Sequence, residues 1–257
     1  MTDPKTDAPA AQTLLQQGLF HHRQGQLDLA MQRYIEVLQG DPTNAAALYY
    51  VAVVACEDGQ YQQGVDLAKR AIEVGQPQAR VHNLMGQAYD RLGQPLDAIK
   101  AYDAAITIDP NFAAAYGNRA NILADTGFPE EALKSFERAL ALNGNSGADW
   151  LNRGALLHEM GRLDDAVESY GRAIALAPGI PEAHAGLGVT LMALAKLDDA
   201  LAALDHAIKL DPAMVAAHKA RAMTLIAMAR NDEAKVSYDR AAELEKAANA
   251  QPGPTTN

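Results

Sequence analysis

Small residues recur along the chain every 34 positions, in two columns. In a frame that starts at Ala11, the eighth position of each repeat carries Gly18, Ala52, Gly86, Ala120, Gly154, Gly188 and Ala222. The twentieth position carries Ala30, Gly64, Ala98, Ala132, Ala166, Ala200 and Ala234. Two helices approach closely only where the side chains between them are small. The two columns therefore predict a pair of packed helices in every repeat.

The frame accommodates seven repeats without insertion or deletion. They span 11–44, 45–78, 79–112, 113–146, 147–180, 181–214 and 215–248. A glycine such as Gly25 follows the first predicted helix of repeats one to five, as is usual just past a helix C-terminus, whereas Ala195 and Ala229 stand there in repeats six and seven. The short ends, residues 1–10 and 249–257, are rich in proline and polar residues, which predicts disordered tails.

The twenty-fourth position of the repeats is mostly large and aromatic. It carries Tyr34, Ala68, Tyr102, Phe136, Tyr170, Leu204 and Tyr238. Together with the small columns, this resembles the tetratricopeptide repeat (TPR) family, whose unit is a 34-residue helix–turn–helix. The resemblance covers residues 11–248 and implies an all-α solenoid, a right-handed superhelix in which the first helices line a concave groove. Two departures are Ala68 in the aromatic column and a fourth position, often Trp in the family, that is Trp only at Trp150.

Composition and charge restrict the class of partner. Hydrophobic residues make up 49% of the chain but aromatic residues only 5%, and the formal net charge is −10. Proteins that bind phosphate backbones usually carry a basic stripe, and no cluster of Lys and Arg occurs here, so neither nucleic acid nor an anionic membrane is an expected partner. The single cysteine, Cys56, needs no oxidising compartment, and no apolar stretch is long enough to span a bilayer. We expect a soluble, cytoplasmic protein.

Histidines are the residues that most suggest chemistry, because His82, His184 and His218 all hold the fourth position of their repeats. Zinc needs its ligand atoms within a few ångströms of one another, whereas neighbouring helices lie about 8–10 Å apart. Histidine is better explained as filling the position where the family often packs Trp. The chain also lacks the common nucleotide-binding, metalloprotease and hydrolase motifs. We therefore expect no catalytic residues, cofactor or metal, and no enzyme activity.

By resemblance to the family, the inner face is built from the second, fifth, sixth, ninth, twelfth and thirteenth positions of each repeat. This implies an apolar and aromatic zone in repeats one and two, a polar zone in repeats three to five that includes Arg80, and an apolar zone in repeats six and seven. The residues predicted to bind a peptide are Tyr49, Tyr50, Asn83, Gln87, Asn118, Asn121, Asn152, Met192 and Lys219. Met192 and Met223 are equally consistent with the inter-repeat core.

Asn118 and Asn152 hold the same sixth position in successive repeats. An amide both donates and accepts, so such residues can bond the backbone of an extended peptide. The alternatives are a hydrogen bond between repeats and plain solvation. The pair is similar to the asparagine ladder in the repeats of O-linked N-acetylglucosamine transferases, whose catalytic domain is absent here. The carboxylate clamp of heat-shock chaperone adaptors is not supported, because its basic members are missing. Its positions read Asn83, Gln87, Asn118, Ala148 and Asn152.

These observations favour a non-enzymatic, monomeric adaptor that holds a peptide or helix of a partner protein in the concave groove. Two alternatives remain open. One is a self-assembling scaffold whose groove accepts its own tail or a neighbouring repeat end. The other is an accessory subunit of a glycosyltransferase or of a secretion or assembly complex. One repeat architecture serves many roles, so the partner is not determined at this level.

Overall fold

The computed structural model describes residues 8–76 and 78–250, and these form fourteen α-helices and no strand. The chain divides into two compact units, an N-terminal unit (Met1–Phe128) and a C-terminal unit (Pro129–Asn257). Helix extends into both predicted tails, since residues 8–10 and 249–250 are helical. The rest of the predicted disorder, residues 1–7 and 251–257, lies outside the described residues.

The helices of each unit follow the 34-residue frame. The N-terminal unit contains α1 (Ala8–Arg23), α2 (Leu27–Gly40), α3 (Ala45–Glu57), α4 (Tyr61–Val74), α5 (Ala79–Arg91), α6 (Pro95–Ile108) and α7 (Ala113–Asp125). The C-terminal unit contains α8 (Pro129–Leu142), α9 (Gly147–Glu159), α10 (Leu163–Leu176), α11 (Pro181–Ala193), α12 (Leu197–Leu210), α13 (Val215–Ala227) and α14 (Asn231–Ala250). Six of the odd-numbered helices, α3 to α13, begin at the first residue of a repeat in the frame.

Aspartate side chains organise the turns between repeats at the three Asp–Pro steps. The Oδ1 atom of Asp41 accepts a hydrogen bond from the backbone N–H of Thr43 at 3.0 Å, and Asp109 and Asp211 accept the equivalent bond two residues on, at 3.0 and 2.9 Å. This local bond offers the backbone a turn in place of further helix. The proline that follows each aspartate also disfavours helical geometry at the aspartate.

The break inside each repeat uses a left-handed residue, which the sequence predicts at the glycines of repeats one to five. Five glycines, Gly25 among them, have positive φ, and so do two alanines, Ala195 at 57° and Ala229 at 58°. A left-handed residue with a Cβ costs roughly 1–2 kcal/mol, so repeats six and seven carry strain that the other repeats avoid.

Small and large residues interlock between the two helices of a repeat. A Cβ added to Gly86 on α5 would overlap the buried ring of Tyr102 on α6. Repeat two, where Ala68 replaces the aromatic, packs differently. There a Cβ on Gly64 would overlap the Sγ atom of Cys56, and Ala68 joins Cys56 in one hydrophobic cluster. Burial raises the pKa of the Cys56 thiol, so this residue is a packed, protonated side chain.

Arginines at the seventh position connect successive repeats. In the C-terminal unit, Arg221 donates to Asp205 Oδ1 of the preceding repeat at 2.5 Å and to Ser237 Oγ of its own repeat at 2.6 Å. Arg119 of the N-terminal unit donates in the same way to Asp103, at 2.6 Å. Three repeats have apolar residues at both the seventh and the twenty-third positions. These pairs are Val51 with Leu67, Met85 with Ala101 and Leu187 with Ala203.

Gly86→Ala tests the close approach of the paired helices. We expect it to lower the free energy of unfolding by about 1–3 kcal/mol, because the added methyl group overpacks the core against Tyr102. Gly171→Ala is the matched control, since this exposed helical glycine has nothing within 4 Å of an added Cβ. It should raise stability by about 0.5–1 kcal/mol. Urea unfolding followed by circular dichroism measures both, and equal effects would contradict the interlocking model.

Ala195→Gly tests the left-handed strain. We expect a gain of about 0.5–1 kcal/mol, because glycine adopts positive φ without the steric cost but loses more chain entropy on folding. The reciprocal change, Gly161→Ala at φ 74°, should lower stability by about 1 kcal/mol. Thermal unfolding of both variants checks the pair, and a destabilised Ala195→Gly protein would show that no strain is stored there.

Candidate functional site

Three tyrosines and one arginine form a cluster in the N-terminal unit. The ring of Tyr50 on α3 stacks on that of Tyr34 on α2, with centroids 5.2 Å apart and planes 18° apart. Tyr49 meets Tyr50 edge-on, also at 5.2 Å. The guanidinium carbon of Arg80 on α5 lies 4.7 Å from the Tyr49 centroid and 5.8 Å from the Tyr50 centroid. Both distances are within the range of cation–π attraction.

Tyr34 is the buried member of this cluster. Its ring is fully buried, and its hydroxyl is the single buried side-chain N or O atom in the described part of the chain that has no hydrogen-bond partner. Burial, with smaller contributions from Tyr50 and Glu57, raises the pKa of Tyr34 to about 12. Burial also raises the pKa of Tyr49, while the charge of Arg80 opposes that shift. The raised pKa values keep the phenols of Tyr34 and Tyr49 neutral at physiological pH.

Arg80 belongs to this aromatic cluster although the sequence places it in the polar zone. Its Nε atom donates to Gln78 Oε1 at 2.7 Å, which holds the guanidinium over the tyrosines. The sequence contains a signal for this contact, because Arg80 is the second residue of its repeat and the tyrosines are the fifth and sixth of the one before. Only the packing of α3 on α5 shows that these positions meet.

Two of the predicted asparagines bond to each other. Asn118 Nδ2 on α7 donates to Asn83 Oδ1 on α5 at 3.1 Å. Asn83 is buried, with 9% of its surface exposed, and Asn118 is half-buried. The inter-repeat hydrogen bond that the sequence allowed as the alternative is therefore present for this pair. An amide has a carbonyl oxygen and two N–H groups, so this bond engages only part of each side chain.

The remaining predicted residues of this unit share helices with the pair. Gln87 is exposed on α5, four residues after Asn83, and Asn121 is half-buried on α7, three residues after Asn118. Residues three or four apart lie on one face of a helix. Arg80, Asn83 and Gln87 therefore follow one face of α5.

The C-terminal unit holds the other three predicted residues on separate helices. Asn152 on α9 and Met192 on α11 are half-buried. Lys219 Nζ on α13 donates to Glu245 Oε1 of α14 at 2.5 Å. Its ammonium group is therefore already paired with a carboxylate of the chain itself. On the same face of α13, Met223 is 51% and Ile226 50% exposed, so neither belongs to the core.

Trp150, His184 and His218, three of the fourth-position residues, make the same bond to the preceding turn. Trp150 Nε1 donates to the carbonyl oxygen of Gly144 at 2.9 Å, and the Nε2 atoms of His184 and His218 lie 3.1 Å from the carbonyl oxygens of Pro178 and Pro212. In each case the acceptor lies six residues earlier. The two histidines thus take the place and the hydrogen bond of tryptophan.

In residues 8–76 and 78–250, no group of three or more His, Cys, Asp or Glu side chains is placed to hold a metal ion. None of the helices described here is both long and apolar enough to cross a membrane.

A helical repeat with a 34-residue period is matched by three family models, each described as tetratricopeptide repeat, over residues 21–88 and 157–212, over 79–112, and over 111–179. Together the matches run from residue 21 to residue 212, most of the chain. The chain belongs to the tetratricopeptide repeat family. A search of curated protein sequences gave no match.

Solved structures share the fold at low sequence identity. "Functional Characterization of Pseudomonas Aeruginosa pilF" is similar with a TM-score of 0.76 and 21% identity, over 84% of this chain and 98% of that one. MamA 41-end from Desulfovibrio magneticus RS-1 gives 0.63 and 21%, over 67% and 97%. YrrB, described as a TPR protein with an unusual peptide-binding site, gives 0.55 and 21%, over 66% and 88%. The predicted all-α TPR solenoid is confirmed, and these likenesses concern the fold alone.

His82, the fourth-position residue of repeat three, predicts a pH dependence. Burial lowers the pKa of its imidazole. The unfolded chain then binds a proton more readily than the folded one, so stability is full above the unfolded pKa of about 6.5 and is lost as pH falls through it toward the lower folded value. Urea midpoints at pH 7 and pH 5 should differ more in the wild type than in His82→Gln. Equal differences would show that His82 does not contribute.

Proposed function

We propose that the protein is a non-enzymatic interaction scaffold of the cytoplasm, and that the first helices of its N-terminal unit bind an extended peptide segment of a partner protein. The observation that supports this is a continuous series of contacts across three repeats. It runs from the tyrosine pair to Arg80 and, through Asn83 on the same helix face, to Asn118. Aromatic residues and arginine are enriched in protein interfaces.

The chemistry of this surface indicates the kind of peptide. Tyrosine rings offer rigid apolar area at low entropic cost, and the guanidinium beside them presents donors suited to a carboxylate. The ligand we propose carries an apolar or aromatic residue next to an acidic side chain or a C-terminal carboxylate. Asn118, Asn121 and Gln87 bond its main chain, and Asn83 orients Asn118. The peptide-binding site named for YrrB supports this choice of ligand.

The C-terminal unit contributes a second, separate surface in this proposal. Met192 of α11 contacts apolar groups of the ligand, and Asn152 of α9 bonds the ligand's main chain. On α13 a ligand carboxylate would have to displace Glu245 from Lys219, and Met223 and Ile226 would hold an apolar group beside it. We propose that the family's unit occurs seven times and that no catalytic group, cofactor or metal takes part.

Peptide selection from a displayed library of random dodecamers on the immobilised full-length protein tests the proposal. We expect enriched peptides with an aromatic or large aliphatic residue next to Asp, Glu or the free C-terminus. Arg80→Ala and Asn118→Ala should each weaken binding of those peptides at least about tenfold by fluorescence anisotropy, as expected for residues central to an interface. Arg70→Ala is the matched control, because this exposed arginine lies on α4, outside the candidate surface.

Two results would overturn the proposal. One is a selection that enriches no common pattern. The other is enriched peptides that bind the Arg80 and Asn118 variants as tightly as they bind the wild type, with all proteins folded by circular dichroism.

A further inference from the structure

The first helix of the chain exposes a residue that every later repeat buries. The tenth position carries Val54, Ala88, Ile122, Leu156, Thr190 and Thr224, and all six are buried. Phe20 holds this position in repeat one and is 61% exposed. The tenth-position side chain is buried on every first helix that follows another repeat, and no described repeat precedes α1. Among the described residues, α1 therefore exposes a side chain that the preceding repeat covers elsewhere.

The last helix exposes the other half. At the twenty-fourth position, Tyr34, Ala68, Tyr102, Phe136, Tyr170 and Leu204 are all buried. Tyr238 holds this position in repeat seven and is 40% exposed, and Val236, two residues earlier on α14, is 68% exposed. No described repeat follows α14 to cover them. The C-terminal end of the array thus carries the large residue that elsewhere packs against the next repeat.

The interior repeats show what the twenty-fourth residue packs against. Tyr34 stacks on Tyr50, the sixth residue of the next repeat. In the C-terminal unit, a Cβ added to Gly186, again a sixth residue, would lie 2.5 Å from Cζ of Tyr170. The rule is that the aromatic residue of one repeat meets the sixth position of the repeat that follows.

A surface cavity lies where α1 would receive such a residue. It measures about 530 Å³ and is lined by Thr13, Gln16, Gln17, Phe20, His21 and Arg33. Gln16 is the sixth residue of repeat one, and Phe20 is its uncovered tenth residue. The seventh position also fits, because Gln17 stands where Arg221 bonds Asp205. Asp239 is the residue of repeat seven that corresponds to Asp205.

We propose that a second copy of this chain covers these surfaces, with α14 of one copy packed on α1 of the next as if it were the preceding repeat. Tyr238 enters the cavity beside Gln16 and Phe20, and Asp239 accepts a hydrogen bond from Gln17. The two surfaces differ, so the contact is heterologous. In a pair of copies, the α1 surface of one copy and the α14 surface of the other stay uncovered. This head-to-tail association goes beyond peptide binding and uses neither of the surfaces proposed for it.

The polar character of α14 indicates that the association is reversible. Repeat six carries Leu197, Leu201 and Ile208 on its second helix, whereas repeat seven has Asn231, Lys235 and Ala242 at the equivalent places. The joint between copies therefore buries less apolar surface than a joint within the chain. Affinity rises with well-packed apolar contacts, so we expect an association that depends on protein concentration.

Sedimentation velocity of the full chain over a concentration series tests the proposal with two variants that each block one end, Phe20→Glu and Tyr238→Glu. Wild type should show an average mass that rises with concentration. Each variant alone should stay monomeric, because its intact surface finds only blocked partners. An equimolar mixture should form a one-to-one dimer, since the intact α14 surface of one variant meets the intact α1 surface of the other.

Leu96→Glu is the matched control, because Leu96 on α6 is 68% exposed and lies at neither end. It adds the same charge and should associate like wild type. Three outcomes would overturn the proposal: a wild type that stays monomeric at all concentrations, variants that associate as wild type does, or a mixture of folded variants that stays monomeric. The last result combined with an associating wild type would indicate a symmetric contact or occupation by another segment. If either glutamate variant fails to fold, Phe20→Ser and Tyr238→Ser replace them.

Discussion

The distance between the paired helices is the constraint on which the rest of this structure depends. A small residue at the eighth position and a large one at the twenty-fourth set that distance together, as Gly86 and Tyr102 do in repeat three. Protein interiors are close-packed, so a change at one position needs a compensating change nearby. Repeat two makes such a change, where the small Ala68 is accompanied by Cys56 against Gly64. In this repeat the Cys56 side chain occupies the space beside the backbone of Gly64.

With the backbones held at this distance, polar groups on neighbouring repeats come within hydrogen-bonding reach. Arg221 connects the acid of one repeat to the serine of the next, and Trp150 and His184 close the turns before their own helices. Ser237 and His184 are buried, and a buried polar group is costly unless it is paired, so the bonds of these two residues satisfy that need. In the described part of the chain the buried hydroxyl of Tyr34 is an exception, and the ring that carries it stacks on Tyr50. Core packing and surface chemistry therefore meet at the same residue.

The candidate surface is a consequence of the stacking and needs no extra structural element. Tyr34 fills the twenty-fourth position in the core and supports Tyr50 from below, while Arg80 of the following repeat lies over Tyr49 and Tyr50. Within the described residues, Phe20 of α1 and Tyr238 of α14 are also exposed at positions that other repeats bury. Peptide binding and head-to-tail association would thus draw on one set of repeating positions, the first on the faces of the first helices and the second on the ends.

The period of the sequence by itself determined the helical class, the starts of the odd-numbered helices α3 to α13 and the left-handed breaks at the five glycines, because these follow from local spacing and backbone sterics. The left-handed conformation of Ala195 and Ala229 came only from the structure, since backbone sterics disfavour it for alanine. The family positions also placed the candidate residues on the first helices. Only the tertiary structure decided which of them meet. It joined Arg80 to the tyrosines and buried Asn83 against Asn118, because such contacts join residues about 30 or more positions apart. Their geometry depends on how one repeat packs on the next, and no local pattern in the sequence records that.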